Sequence, residues 1–356
     1  MAETLNDYES LAAAVLPAET YDFVAGGSGS ETTLRRNRTA LDAVTLAPRV
    51  LAGVAAADTG WRVPAGVVGG ASMPVVVAPM AYQRLLHPEG ELLLARAAAE
   101  AGVPYAISTL SSYPLEKIAG IGGQCWFQLY WLRDRGVVES LVGRAEEAGC
   151  SAIVVTVDVP VMGRRLRDVR NSFALPDDVV AANLVDPVTE AHVGVPGLSA
   201  VAAHTASAFE PAVSWQDLEW LRTRTGLPLI LKGILDPRDA TRAVQLGATG
   251  IVVSNHGGRQ LDGAMSSVDA LAGVVDAVDN DCLVLLDSGI RSGTDVLRAL
   301  ALGASAVLVG RPLLWALAVD ACGEALELLR GELADAMMLA GCADLAAAGW
   351  LTTGRA

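Results

Sequence analysis

At 356 residues, 52 % of them apolar, the chain has ample core-forming mass for one large domain, and α/β barrels often use such a length. Its net charge of -14 excludes a general binder of nucleic acid or of an anionic membrane, since either needs a basic face, but leaves room for a local arginine pocket. Four histidines without ligand spacing argue against a metal site, and five scattered cysteines (Cys125, Cys150, Cys282, Cys322, Cys342) fit reduced thiols in a cytoplasmic protein. The acidic segment Met1 to Ser10 lacks a signal pattern, and no run of about 18 uncharged apolar residues suggests a membrane span.

In chain order, residues 1–70 read as a helical extension. Leu5 to Leu16 has helical apolar spacing, Pro17 restarts the chain, and Glu19 to Ala25 forms a second helix ended by Gly26-Gly27-Ser28-Gly29. Arg35 to Thr45 is polar and predicts a short helix leading to an irregular crossing.

From residue 75 onward a unit repeats: a helix, an Ala-Gly or Gly-Ala turn, then a short β-branched run. The predicted strands are Pro74–Ala78, Tyr105–Thr109, Trp126–Leu129, Ala152–Val157, Leu229–Leu231, Gly250–Val253, Leu283–Leu286 and Ala306–Val309. Near-continuous apolar strands fit a parallel sheet covered by helices, and eight such units fit a (β/α)8 TIM barrel of the α/β class over residues 74–312. About 70 residues separate the fourth strand from the fifth, against roughly 20 to 30 elsewhere. Beyond the expected helix Trp215 to Thr225, this long loop leaves residues 167–214 as a lid-like excursion, with a disordered linker as the alternative. Residues 313–356 predict C-terminal helices, with Leu326–Leu329 and Met337–Leu339 as apolar faces.

Barrel enzymes place their sites at the C-terminal strand ends. There the chain puts Pro79, Met80 and Ala81, then Ser108 and Ser111, Gln128 and Tyr130, Thr156 and Asp158, and Lys232. The sixth strand runs into Ser254-Asn255-His256-Gly257-Gly258-Arg259-Gln260-Leu261-Asp262, a base and a guanidinium three residues apart across two turn-forming glycines. Asp287, Gly289 and Arg291 follow the seventh strand, and Gly310-Arg311 the eighth, a combination suited to a phosphate. His256 with Asp158 makes a competent general base, while Arg165, Arg259 and the Tyr130 phenol suit a small carboxylate. Taken singly, Asp158 could be a helix cap, Tyr130 a core aromatic, Lys232 a surface lysine, and Gln128 and Thr156 satisfied barrel polars. The cluster is more specific than its members.

These residues resemble the FMN-dependent α-hydroxy-acid oxidase and dehydrogenase family. The resemblance runs from Tyr21-Asp22 to Cys342 and includes His87-Pro-Glu-Gly-Glu91, Phe127-Gln-Leu-Tyr130, Thr156-Val-Asp158, Gly163-Arg-Arg165, Leu231-Lys-Gly233, Asp287 to Gly293 and Gly310-Arg-Pro312. It implies that His256 takes a substrate proton with Asp158 as its partner, that Arg165, Arg259 and Tyr130 hold the substrate, and that Lys232 sits beside the flavin. It further implies FMN contacts from Pro79, Met80, Ala81, Ser111, Gln128, Thr156, Lys232, Ser254, Asp287, Ser288, Gly289, Arg291, Gly310 and Arg311. Three residues depart from the family pattern: Phe23 where a carboxylate-binding tyrosine is common, Met80 for a threonine, and Ser288 for a phosphate-loop glycine.

Within the family, Val77 to Glu91 and Gly163 to Asn171 are most similar to the 4-hydroxymandelate oxidases, which supply hydroxyphenylglycine for peptide antibiotics. Phe23 suits that subgroup as an apolar wall against an aromatic substrate. Asp168, Asp177, Asp178, Asp186 and Glu190 in the excursion argue against the membrane segment of the mandelate dehydrogenases. The expectation is a cytoplasmic, homotetrameric oxidase taking an aromatic (S)-2-hydroxy acid and O2 to a 2-oxo acid and H2O2. A lactate or glycolate oxidase, a soluble mandelate dehydrogenase, a barrel aldolase using Lys232 as a Schiff base and a non-catalytic flavin or phosphate module are the competitors.

Overall fold

The computed structural model describes residues 2–62, 69–184 and 199–355. Eight parallel strands close into a barrel: β1 Val75–Val77, β2 Tyr105–Ser108, β3 Cys125–Tyr130, β4 Ile153–Thr156, β5 Leu229–Ile234, β6 Gly250–Val253, β7 Leu283–Leu286 and β8 Ala306–Val309. Closure comes from β8 pairing with β1, Val75 opposite Val307. The (β/α)8 expectation holds, with strand limits shifted by a few residues at most. The middle of the excursion, including Asp186 and Glu190, lies outside the described residues.

Strand periodicity builds the site. Side chains alternate along a strand, so the barrel sorts each run into an outward and an inward set. Val76, Ala106, Trp126, Val154, Ile230, Val252, Leu285 and Leu308 point inward and form the barrel's own core. Val75, Val77, Ile107, Ile153, Val155 and Leu231 point outward against the helices. Two residues beyond the inward apolar layer, the same parity delivers Gln128, Thr156, Lys232, Ser254, Asp287 and Gly310 to the open end. The apolar interior and the polar mouth are therefore one alternation read at two heights.

One irregularity is functional. The β5–β6 register shifts between Lys232 and Ile234, and Gly233 at that bulge has φ +115°. A Cβ there would come within 2.6 Å of the Asp158 side chain, so the bulge makes room for that carboxylate.

At the N-terminal side, helices span Asp7–Val15, Ala18–Ala25 and Thr32–Asp42. Asp262 caps the third, accepting from the N–H groups of Ser30 (2.8 Å) and Thr33 (2.9 Å). A two-stranded ribbon was not predicted: Val44–Ala47 pairs antiparallel with Thr352–Arg355. The latter strand is short and polar, carries no alternation, and exists only because its partner lies beside it. The C-terminal helix Cys322–Ala340 buries Leu326, Leu329 and Met337, but Met338 and Leu339 are exposed, which corrects the second predicted apolar face. In the excursion, helix Ala200–Ala208 is capped by Ser199, whose side chain accepts from Ala202 N–H. Among the described residues no helix is long and apolar enough to cross a membrane.

Candidate active site

The stretch Ser254–Asp262 leaves β6 as a short 3-10 turn at His256–Gly258. His256 itself has φ +59°, a conformation a side chain adopts only when its surroundings impose it. Most of the stretch fastens the loop. Asn255 exchanges two amide hydrogen bonds with Asn37 of the N-terminal helix, at 2.8 and 2.6 Å. Gln260 donates to the carbonyls of Asp158 (2.8 Å) and Val161 (2.9 Å). At Gly258, φ +74°, a Cβ would lie 2.6 Å from the Leu34 backbone, so this glycine admits the N-terminal helix rather than a ligand. What the fastening presents to the cavity is His256, Gly257, Arg259 and Gln260.

His256 Nδ1 lies 3.0 Å from Asp158 Oδ1, which orients the ring and leaves Nε2 as the nitrogen not held by Asp158. Burial pulls the imidazole below its ordinary value, with Asp158 opposing and Lys232 and Arg165 assisting, so it is neutral at neutral pH. Lys232 Nζ meets Asp287 Oδ2 at 2.8 Å, both side chains being almost fully buried. Against the penalty of burial, Asp287 and Asp158 keep the Lys232 ammonium above its ordinary value, and Lys232 in turn holds Asp287 low. A permanently charged lysine is not the neutral amine that Schiff-base chemistry needs, so the aldolase alternative fails here. Replacing Lys232 by Met strands the Asp287 carboxylate, and stability falls by about 3–5 kcal/mol, read from the denaturation midpoint.

Four arginines converge on the same cavity. Arg259 donates to Val24 O (3.3 Å) and Gly26 O (2.7 Å), and Arg311 to Val24 O (2.9 Å), Gly257 O (3.0 Å) and Gly26 O (3.0 Å). Arg291 donates its side chain to its neighbour's carbonyl, and Arg165 Nε is buried with no partner. Burial lowers all four, Arg259 well below its ordinary value and Arg311 to about 9. Half-buried cations answered mainly by backbone carbonyls mark two places for an anion. Arg165 and Arg259 lie over the Phe23 ring, at 5.9 and 5.4 Å from its centroid, while Arg291 and Arg311 belong to the β7 and β8 ends.

Beyond Arg165 and Arg259 the wall is apolar. Phe23 stacks on Phe173 at 4.4 Å, and Tyr130 packs against Phe209 at 4.7 Å. The nearby Tyr21 turns away, hydrogen-bonded to Glu9 at 3.1 Å and stacked on Trp315, so it does not replace the missing tyrosine. Pro79, Met80, Ala81, Lys232, Asp287, Ser288, Gly289, Arg291, Gly310 and Arg311 all line the cavity, which is open at its mouth.

Ser111, Gln128, Thr156 and Ser254 are not on that lining. Gln128 bridges Ser108 (3.3 Å), Thr109 N–H (3.2 Å) and Thr156 Oγ1 (3.0 Å), while Ser111 is turned to Asn183 and the Tyr113 carbonyl. Ser254 instead accepts from Lys232 Nζ and from the His256 N–H, each at 3.0 Å. The Ser288 hydroxyl donates to Asp287 Oδ1 at 2.7 Å. Residues that sequence reading missed include Tyr82, Asn183 and the excursion's Val201, Thr205 and Phe209. Tyr82 alone carried a signal, following directly on Pro79-Met80-Ala81.

Residues 12–351 match the family described as FMN-dependent dehydrogenase. The chain belongs to that family. It is 58 % identical over 358 residues to a 4-hydroxymandelate oxidase of Amycolatopsis orientalis, covering 98 % of each chain. Identity to an L-lactate oxidase of a Nostoc species is 47 %, over 96 % of this chain and 95 % of that one. A solved mandelate oxidase with (S)-4-hydroxymandelic acid superposes with a TM-score of 0.96 at 57 % identity, covering 99 % of both chains. This family member is thus an FMN-dependent 2-hydroxy-acid oxidase. Its residues fit the cofactor on their own geometry: Arg291 and Arg311 at one end can hold a phosphate, Ala78, Pro79, Met80 and Leu308 offer an apolar face, and Lys232 supplies a buried cation.

Proposed function

We propose that the chain oxidises an aromatic (S)-2-hydroxy acid, 4-hydroxymandelate or mandelate, to the 2-oxo acid, with O2 reduced to H2O2. The observation that carries the aromatic assignment is the wall of Phe23, Tyr130 and Phe209 around the arginine pair, with Phe173 stacked behind Phe23. A methyl or hydrogen at the α-carbon would leave that wall without contacts, whereas an aryl group buries against it. The names of the similar 4-hydroxymandelate and mandelate oxidases support the same reading.

In this reading Arg165 and Arg259 dock the carboxylate in a charge-assisted, planar geometry. Tyr130 contacts the substrate beside them, its phenol kept protonated by burial. Neutral His256 takes a proton through Nε2, and Asp158 stabilises the imidazolium that forms. Bound FMN would supply the two-electron acceptor for this oxidation, to be reoxidised by O2. Lys232 places its fixed positive charge where negative charge builds up on that acceptor. Arg291 and Arg311 hold the phosphate, and Ser111, Gln128, Thr156 and Ser254 are the polar flavin contacts that the family resemblance assigns. The 2-oxo acid would feed hydroxyphenylglycine for peptide antibiotics, made by a cytoplasmic homotetramer, on the strength of the resemblance of Val77 to Glu91 and Gly163 to Asn171.

Anaerobic bleaching of the purified yellow protein by 4-hydroxymandelate, mandelate, lactate and glycolate tests this. The aromatic acids reduce the flavin fastest. Faster bleaching by lactate or glycolate overturns the aromatic assignment, and H2O2 formation on admitting air separates oxidase from dehydrogenase.

A further inference from the structure

The polar groups beneath His256 close into a ring across the ends of β5, β6 and β7. Lys232 Nζ lies 2.8 Å from Asp287 Oδ2 and donates to Ser254 Oγ at 3.0 Å. The same serine oxygen accepts the backbone N–H of His256 at 3.0 Å. One residue on, the N–H of Gly257 donates to Ser288 Oγ at 3.0 Å, and the Ser288 hydroxyl donates to Asp287 Oδ1 at 2.7 Å. Each contact hands on to the next, and the last returns to the carboxylate that began the circuit.

Two features of the ring bear on the chemistry. His256 and Gly257 have φ +59° and +66°, and each of their N–H groups is held by a serine oxygen. That pair of bonds is what holds a non-glycine residue in the left-handed region at the base. Ser288 is itself at φ +74°, where glycine would sit without steric cost. The hydroxyl gained in exchange satisfies a carboxylate oxygen and a backbone N–H that would otherwise lack these partners.

We propose that Ser288 is a positioning residue for His256: its hydroxyl closes the ring and fixes the His256–Gly257 peptide, and with it the imidazole, relative to Asp158 and Lys232. This replaces a phosphate-loop role for the side chain and rests on the reading of His256 as the base. A glycine at 288 would leave the ring open between Asp287 and Gly257. Small displacements of a base from its proton are costly in rate although they alter binding little.

The test uses the FMN-loaded protein with Ser288→Ala, which keeps the left-handed backbone cost, and Ser288→Gly, which removes it. In both variants amide exchange at Gly257 becomes about tenfold faster than in the wild type. Flavin reduction at saturating 4-hydroxymandelate falls about tenfold in both, while FMN affinity and affinity for the 2-oxo acid stay within about twofold, because the Ser288 hydroxyl bonds Asp287 and the Gly257 N–H rather than any of the four arginines. A Ser288→Gly variant that reduces at the wild-type rate overturns the proposal, since only backbone strain would then matter. So does a loss of rate that excess FMN restores, which would return Ser288 to the phosphate loop. If no 2-hydroxy acid bleaches the wild type, the functional reading falls separately. Unchanged Gly257 exchange in both variants refutes the ring whatever the substrate.

Discussion

Replacing His256 by Asn lowers the rate of anaerobic flavin reduction by about three orders of magnitude, the middle of the range for loss of a general base, while FMN stays bound. Asparagine preserves a polar side chain beside Asp158 but has no nitrogen that can accept the substrate proton. Binding survives because the phosphate end, Arg291 and Arg311, lies on other strand ends. The pH dependence has a definite sign. Burial pulls His256 below its ordinary 6.5, and Asp158 opposes that pull. The neutral form is the base, so the wild-type rate is flat through neutral pH and declines only as pH falls through that lowered value. A limb centred above 6.5 in rapid-mixing measurements would contradict the neutral base. Replacing Asp158 by Asn removes the charge that raises His256 and moves the acid limb further down, besides slowing the reaction. The same linkage acts on stability: the unfolded chain binds this proton more readily, so the contribution is complete above the ordinary value and is lost as pH falls below it.

Changing Arg165 to Met weakens binding of the carboxylate, measured with the 2-oxo acid product, by about a hundredfold. The guanidinium is buried, its Nε has no partner, and burial lowers it below its ordinary value with only Asp168 and two tyrosines in opposition. A cation kept at such cost has its return when an anion arrives. Methionine fills similar space without charge, so the thermal midpoint of the variant stays level or rises even as affinity collapses. That opposition of stability and affinity separates a binding arginine from a structural one. A fall in the midpoint with affinity intact would assign Arg165 to the fold instead. Arg259 makes a less clean test, because it also ties down the carbonyls of Val24 and Gly26.

The barrel was legible because its strands are eight short apolar runs, four of them led in by a helix and a glycine turn, so the signal is local. The ribbon of Val44–Ala47 and Thr352–Arg355 was not, because two short, largely exposed strands far apart in sequence carry no signal until they meet. The excursion's share of the wall was hidden in its particulars: residues 167–214 read as a lid-like loop, but nothing in their composition singles out Val201, Thr205 and Phe209.

For the site, the sequence by itself determined which chemistry is present: a histidine and an arginine on one loop, a lysine two residues past a β-branched core, and glycine-arginine pairs at the last two strands. Alternation along a strand is a local property, and it carries those residues to the open end whatever else the chain does. Tertiary structure decided which of them face the ligand and which face one another. Gln128 and Thr156 share the parity of Lys232 and bond one another, while Ser254 accepts from Lys232 itself, pairings that only the closed barrel sets. Ser288 is the sharpest case. From the sequence it is a substitution in a phosphate loop; in the folded chain its hydroxyl reaches Asp287 and the peptide after His256. Hydrogen bonds join atoms that are distant in sequence, and only the closed barrel sets the distances between them.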